Sequence, residues 1–464
     1  MKKIYKIPFL ILIISFVGCQ DILDKEPIDI IDSNKAFQSA EDIDAGVIGV
    51  YAAMTATTYI DISSRMSDDV RLSPENRGQG VQIHDWSFAA NEGSTTSAWN
   101  NCYQVVSRIN RVLDAIERLT AEGVVTEADV AQSKAELLAI RALSHFDLWR
   151  IFSTKYNPSA LAIPYMALPE GLQVDIKPER ETTESVFTKI KADLAEAQNL
   201  MPDGFDSPTR ITDLAISALR ARVALYSEDW DDAITFSTQV IDNMELAGAD
   251  DLKNVFSDVS NEGIVFELLR VSGDERVGTL FTDTNGDIFF NPSNEIISVY
   301  DSVNDARFDA YIEDDRTEAD RDQVIKYPGK VGLDKLNDIK IFRVAEQFLI
   351  RAEAYANNNQ TSLGNADLNT LRANRISGWV NQSYSQSDLL DEIMLERRRE
   401  LAFEGHRFFD LKRRGLAIDR EGDDCFRVPN ACTLEASSFR FALPIPQSEI
   451  FASDMEQNPG YSNN

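Results

Sequence analysis

Apolar residues recur at helical spacing over most of this chain. In WNNCYQVVSRINRVLDAI, residues Trp99, Tyr103, Val106, Ile109, Asn110 and Leu113 fall at i, i+3, i+4 intervals and predict a helix. A longer stripe over Glu127–Phe152 carries Ala135, Leu138, Ala142, His145, Phe146 and Trp149. Thr182 and Thr183 before Glu184 mark a helix start, and Pro202-Asp203-Gly204 stops it after about Met201. Within 211–243, small Ala218 and Ala221 precede Tyr226, a turn at Glu228-Asp229-Trp230, and then Ala233 and Phe236. Small residues at close-approach positions beside an aromatic before a tight turn are the pattern of stacked tetratricopeptide-like pairs. Such pairs are predicted at 99–152, 182–243, 341–374 and 388–411, divergent and interrupted rather than a regular array.

The helical pattern breaks twice. Residues 57–98 are rich in Ser, Thr, Asn and Gly. Residues 245–340 hold short strand-like runs, Ile264–Leu268 and Gln323–Tyr327, and the loop-like DTNGDIFFNPSNE. FRFALPIP near the end of the chain predicts a strand running into a Pro-rigid segment. The expected fold class is therefore mainly α. A helical scaffold at about 30–56, 99–243 and 341–420 carries an irregular, partly β ligand-binding region at about 57–98 and 245–340, and residues 421–464 form a C-terminal segment. Long loops on a helical scaffold are where ligands usually bind.

The N-terminus changes the picture of where this body resides. Lys2, Lys3 and Lys6 form a basic leader, Ile7 to Val17 is a short apolar run, and Gly18-Cys19 follows. Eleven apolar residues are too few for a spanning helix of about 20. The order matches a lipoprotein signal, 1–18, with Cys19 acylated and left as the first residue of a mature domain, 19–464. Phe16 stands where such signals prefer Leu. No other segment is expected to reach transmembrane length, so lipid alone would tie the protein to a membrane. Export also bears on the remaining cysteines. Cys425 and Cys432 flank FRVPNA and are expected to form a small disulfide loop in preference to two free thiols. Cys102 lies in an apolar helix and reads as core.

Charge raises a puzzle. The chain carries a formal net charge of −30, and −30 − 3 = −33 once the three leader lysines are removed. That balance argues against nucleic acid and other polyanions as partners. Yet LERRRELAFEGHRFFDLKRRG concentrates Arg397, Arg398, Arg399, Arg407, Lys412, Arg413 and Arg414. Internal neutralisation resolves it: Glu396 with Arg399, Arg397 with Glu400, and Arg407 with Asp410 are i, i+3 pairs on a helix that bends at Gly405.

Several blocks, in order, carry a resemblance: CQDILDKEP, AWNNCYQVVSRINRVL, KAELLAIRALSHFDLWRIFS, IFRVAEQFLIRAEAYA, IMLERRRELAFEGHRFFDLKRRG and LPIPQSEIFASDMEQNPGY. They resemble the SusD/RagB family of outer-membrane lipoproteins of Bacteroidetes, over most of the chain. The resemblance implies a mainly helical protein with four tetratricopeptide-like pairs behind an irregular ligand face. It implies a cell-surface protein, lipid-anchored in the outer membrane, that caps a SusC-like TonB-dependent transporter. Its ligand would be an oligosaccharide or polysaccharide or, in the RagB-like branch, a peptide, and it would not be an enzyme. The loops around 57–98 and 270–340 match no particular member, so no ligand carries over.

Candidate chemistry fits binding better than turnover. His84, His145 and His406 stand at unrelated positions, and GxSxG, HExxH and P-loop motifs are missing. A glycoside hydrolase remains a distant alternative, since 76 acidic residues always offer carboxylate pairs. Sugar binding needs flat aromatics for pyranose faces and planar polar groups for hydroxyls. Trp86 lacks a helical apolar partner and is the expected platform, with Asp68, Arg71, Asn76 and Arg77 supplying hydrogen bonds. Phe289, Phe290 and Tyr300 are further candidates. Trp99, Trp149 and Trp230 read as core, and Trp379 ranks below Trp86. No cofactor is expected. Asp283, Asn285 and Asp287 alternate as calcium ligands would, but Gly286 falls at position four rather than six and Asn294 replaces the last Glu.

Overall fold

The computed structural model describes residues 33–172, 176–314 and 321–462. Cys19 and the leader lie outside them. The longest helices are α3 (Gly93–Ala121) and α4 (Glu127–Phe152), preceded by α1 (Ala40–Ala53) and α2 (Thr57–Met66). They are followed by α5 (Thr183–Leu200), α6 (Asp213–Tyr226) and α7 (Trp230–Ile241), then by α8 (Val344–Asn357), α9 (Thr361–Arg375), α10 (Gln386–Glu400) and α11 (Arg407–Arg414).

Local chemistry sets their ends. Thr126 caps α4 in a capping box with Asp129, and Thr182 and Thr212 cap α5 and α6. α4 is more deeply placed than its stripe predicts: from Ala135 to Phe146 every residue is buried. A helix enclosed on all sides must partner its polar groups. Arg210 holds Glu136 at 2.8 Å, and Tyr51 donates to the same carboxylate. Arg141 grips Asp193 of α5 at 2.7 Å, and Arg150 lies over the rings of Tyr59 and Phe409.

Helices α3 with α4, α6 with α7 and α8 with α9 are antiparallel neighbours, as the tetratricopeptide-like pattern requires. α7 packs directly on α8 although some hundred residues separate them in the chain. Residues 245–340 are thus an excursion from a continuous helical stack. The strand pair β2 (Ile264–Leu268) with β4 (Ile339–Arg343) closes that excursion, running antiparallel from Ile264↔Arg343 to Leu268↔Ile339 with every residue buried. The fourth expected pair is weaker: α10 leans mainly on α8 rather than on α11.

Other expectations need correction. The 57–98 segment is not loop throughout, since α2 fills 57–66 and α3 begins at Gly93. By length and composition Ala40–Met66 is apolar enough to cross a membrane, contrary to the reading that no second segment is. In the fold Met54–Ala56 divides it into α1 and α2, and Ile43, Val47, Val50, Ile60, Ile62 and Met66 pack into the core. FRFALPIP is no strand: Phe439–Phe441 is a 3-10 turn followed by extended chain. Only Gln323–Val324 of the 323–327 run is strand.

The basic window is the most interlocked part of the core, but mostly not by the spacing the sequence suggests. Glu396–Arg399 does form. Arg397 pairs with Asp410 at 2.9 Å instead of Glu400, and Arg407 with Asp68 at 2.7 Å instead of Asp410. Glu400 is taken by Arg307, Arg343 and Arg375 from three other elements. Arg398 reaches Asp69, and Arg413 and Arg414 share Glu353. A positive φ of 88° at Gly405 turns the chain between α10 and α11.

Candidate ligand-binding face

Four segments remote in sequence meet on one side of the scaffold. β1 (Val70–Leu72) pairs with β3 (Phe290–Pro292), setting Arg71 opposite Asn291 and Leu72 opposite Phe290. Ser293 donates its hydroxyl to the Asp68 carbonyl at 2.7 Å, continuing the seam. The third segment enters through Asp322, whose carboxylate pairs with Arg71 at 3.0 Å and whose carbonyl accepts from Asn291 at 2.8 Å. The fourth is the hairpin of β5 (Ile418–Asp419) and β6 (Thr433–Leu434), which encloses a loop closed by the disulfide Cys425–Cys432. The Asp424 carboxylate accepts from the Asn294 and Glu295 amides at 2.7 and 3.2 Å, fastening that loop to the start of the helix Asn294–Ser298.

The expected platform does not lie on this face. Trp86 is 4% exposed, its indole donates to the Met66 carbonyl at 3.0 Å, and the Arg420 guanidinium covers its ring at 4.3 Å. Lacking a helical partner did not mean lacking a partner: Arg420 comes from the far end of the chain. Asp68 is buried too. Burial alone would raise its carboxyl, but Arg407 and Arg398 outweigh this and hold it well below the usual carboxylate range. Arg71 is buried between Asp322 and Asp424. Tyr300 is buried and donates to the Arg399 carbonyl at 2.7 Å, and Phe290 is fully enclosed.

Three candidates stay nearer the surface. Phe289 is half-buried against the core. Asn76 is half-buried and folds its own loop, donating to the Gln79 and Phe289 carbonyls at 2.9 and 3.0 Å. Arg77 is exposed and pairs with Asp287 across the two loops. That pairing bears on the calcium candidates. Asp283 accepts from the Asn285 and Asp287 amides at 2.8 and 2.9 Å, closing a turn, while the Asp287 carboxylate is turned to Arg77. Asn294 starts the neighbouring helix. The surface aromatic on this side is one the sequence reading passed over. Phe426, inside the disulfide loop, is 72% exposed. Its only signal was an aromatic next to a half-cystine in a Pro/Asn-rich loop.

Elsewhere, two adjoining clefts of about 480 and 520 Å3 flank residues 164–168 beside α3, α4 and α5. Their charges are mutually engaged: Arg141 with Asp193, Lys189 with Glu181 and Lys134 with Glu196. The carboxylates of Asp258, Glu267 and Asp338 cluster, but Lys340 sits on the first two and Lys330 on the third. All three histidines are buried. His145 stacks on Tyr165 at 3.9 Å and accepts from the Met166 amide at 3.0 Å, and burial pushes its pKa down to about 3. Burial likewise holds His84 and His406 well below the ordinary value. Imidazoles kept neutral and spent on packing are scaffold, not acid–base groups.

Two family models match this chain. One, described as the SusD family, matches residues 324–461. The other, described as starch-binding and associating with the outer membrane, matches residues 21–225. The chain is similar end to end to SusD-like protein P2 of Formosa agariphila, at 24% identity over 99% of this chain and 100% of that one. A SusD superfamily protein from Bacteroides thetaiotaomicron superposes with a TM-score of 0.81 at 25% identity, covering 91% of this chain and 100% of its own. A laminarin-binding SusD-like protein shares the fold with a TM-score of 0.73 at 21% identity, over 92% of this chain and 100% of that one. With both matched segments in order, relatives along its whole length and a common helical architecture, this chain belongs to the SusD/RagB family.

Proposed function

We propose that this protein captures a neutral oligosaccharide or polysaccharide at the cell surface and delivers it to a SusC-like TonB-dependent outer-membrane transporter. The observation that carries the reading is the prearranged face itself. β1, β3, Asp322 and the disulfide hairpin are locked together by ion pairs and amide caps, and the helical stack supports them from behind. A preformed face loses little conformational freedom on binding, which suits a well-hydrated, many-hydroxyl ligand whose net gain per contact is small. The kinship with starch-binding and laminarin-binding proteins favours a glycan over a peptide. Arg71 and Arg77 are both engaged by carboxylates, which favours a neutral sugar over a uronate or sulfate. No chemical step is assigned, in keeping with three histidines spent on packing. Lipid on Cys19 would hold the protein at the outer membrane.

Calorimetric titration of the domain that starts after Cys19, against neutral oligosaccharides, acidic oligosaccharides and mixed peptides, tests the reading. Saturable binding of one neutral class, with the sugar recovered intact, is expected. Binding of peptides alone would replace the glycan reading with peptide capture, and released product would replace it with a hydrolase. For the anchor, Cys19→Ala is expected to move the protein from the membrane fraction to the soluble fraction. Co-purification with a TonB-dependent transporter tests delivery.

A further inference from the structure

The loop Cys425–Cys432 is rigid by several independent means. The disulfide closes it, and Arg420 secures its base by donating to the Ser67, His84, Ala431 and Arg65 carbonyls. Its own amides fold it tightly, with Val428 bonded to the Cys425 carbonyl at 2.9 Å and Ala431 to the Val428 carbonyl at 2.8 Å. Val428 and Ala431 are buried and turn inward, while Phe426 stands outward at 72% exposure. Among the described residues no ring or guanidinium stacks on Phe426. Two other phenylalanines among the described residues are exposed, neither of them in a closed loop. Phe439 is edged against Tyr461 and lies beneath Arg440, and Phe451 rides on the helix Gln447–Ser453.

A large aromatic held out in water by a closed loop gains nothing for folding and leaves one flat apolar face presented in a fixed pose. Glu421, Asp423 and Asn430, all exposed, lie on the same hairpin connection between β5 and β6 and supply planar groups suited to hydroxyls. Glu421 and Asp423 outnumber Arg427, the exposed cation of this stretch, which disfavours an acidic polymer. Resting on the glycan-binding reading above, we infer that Phe426 is the platform on which one pyranose ring of a neutral oligosaccharide stacks, and that the disulfide fixes its pose. Arg420 links this to Trp86. The indole is the buried base on which the guanidinium rests, and Phe426 is the exposed ring that the same guanidinium helps to hold in place.

The test uses the domain that starts after Cys19, titrated with a laminarin-derived hexasaccharide, a starch-derived hexasaccharide and an acidic hexasaccharide of uronates. Phe426→Ala, Phe426→Trp and the double variant Cys425→Ser/Cys432→Ser are compared with the unmodified protein, after thermal melts establish that each is folded. The expected result is binding of a neutral hexasaccharide that weakens about tenfold in Phe426→Ala and is kept or strengthened in Phe426→Trp. A several-fold loss in the double serine variant, matched by reducing the unmodified protein with dithiothreitol, is expected from the lost pose. Neutral-sugar binding left within twofold by Phe426→Ala would overturn the inference while the glycan reading stands. That outcome would also fit Phe426 as a contact for another protein, since no transporter is present in the titration. Binding of the acidic sugar alone, or of none of the three, would overturn both.

Discussion

At the scale of single residues, the protein is shaped by charges placed where charges are expensive. Glu353 and Glu396 are buried, which by itself would raise their carboxyls. Arg413 for the first, and Arg307 and Arg372 for the second, outweigh this and bring both down to about 2. A carboxylate with a depressed folded pKa stabilises the fold above its unfolded value and loses that contribution as pH falls towards the folded one. Stability is therefore expected to fall steeply between pH of about 4.5 and about 2, and Glu353→Gln should flatten part of that limb in urea titrations across the range. At pH 7 the same substitution leaves Arg413 and Arg414 short of a partner and should cost about 3–5 kcal/mol. Lys412 titrates in a higher window, with stability again rising with pH. Burial first, and Arg150 beside it, push its ammonium down to about 7. The unfolded chain then holds the proton that the folded one lacks, so the unmodified protein should gain stability relative to Lys412→Met as pH rises from about 7 towards 10. Trp86 gives the plainest residue-scale test. As a buried ring under Arg420, Trp86→Ala should cost about 3–5 kcal/mol in denaturant unfolding, whereas a solvent-facing platform would lose almost nothing.

At the scale of elements, turns decide how helices with good intrinsic patterns are aimed. Gly405 separates α10 from α11 with a φ of 88°, and a Cβ there would meet the Tyr59 ring at 2.5 Å. Both the backbone conformation and the contact exclude a larger residue. Gly405→Ala should destabilise by about 1–3 kcal/mol and shift α11 against α2, read as a lowered melting temperature with helix content retained. The seam of β1 with β3 belongs to the same scale. Three residues in each strand could not hold by themselves. Arg71, Asn291 and Asp322 staple them from the side, so the candidate ligand face inherits its order from ion pairs rather than from sheet.

At the scale of the whole molecule, a net charge of −30 coexists with a core crowded with arginine. The basic groups face inward and are neutralised there, leaving an acidic exterior. Glycan binding by stacking and hydroxyl hydrogen bonds should change by less than about twofold between low and high salt. A polyanion partner would show a steep loss over the same range.

The helical scaffold was readable because helix periodicity and caps are local: α4 spans the predicted Glu127–Phe152 stripe, α5 starts at the predicted Thr182-Thr183-Glu184 signal, and α6 and α7 fall inside the predicted 211–243 stretch. Internal neutralisation of the basic window was readable in kind from the overall charge, though Arg397 and Arg407 chose partners from other elements over neighbours one turn away. The site was far less legible. Trp86, Asp68 and Tyr300 had the residue types of a sugar site and lay in loop-like sequence, but exposure is a property of what packs on a residue. Arg420, Arg407 and the Arg399 carbonyl reach them from the last seventy residues of the chain, and no local pattern announces that. By itself the sequence determined an acidic, mainly helical protein with the blocks of its family. Only the tertiary structure decided which aromatics face water, because long-range pairing buried Trp86 and left Phe426 outside.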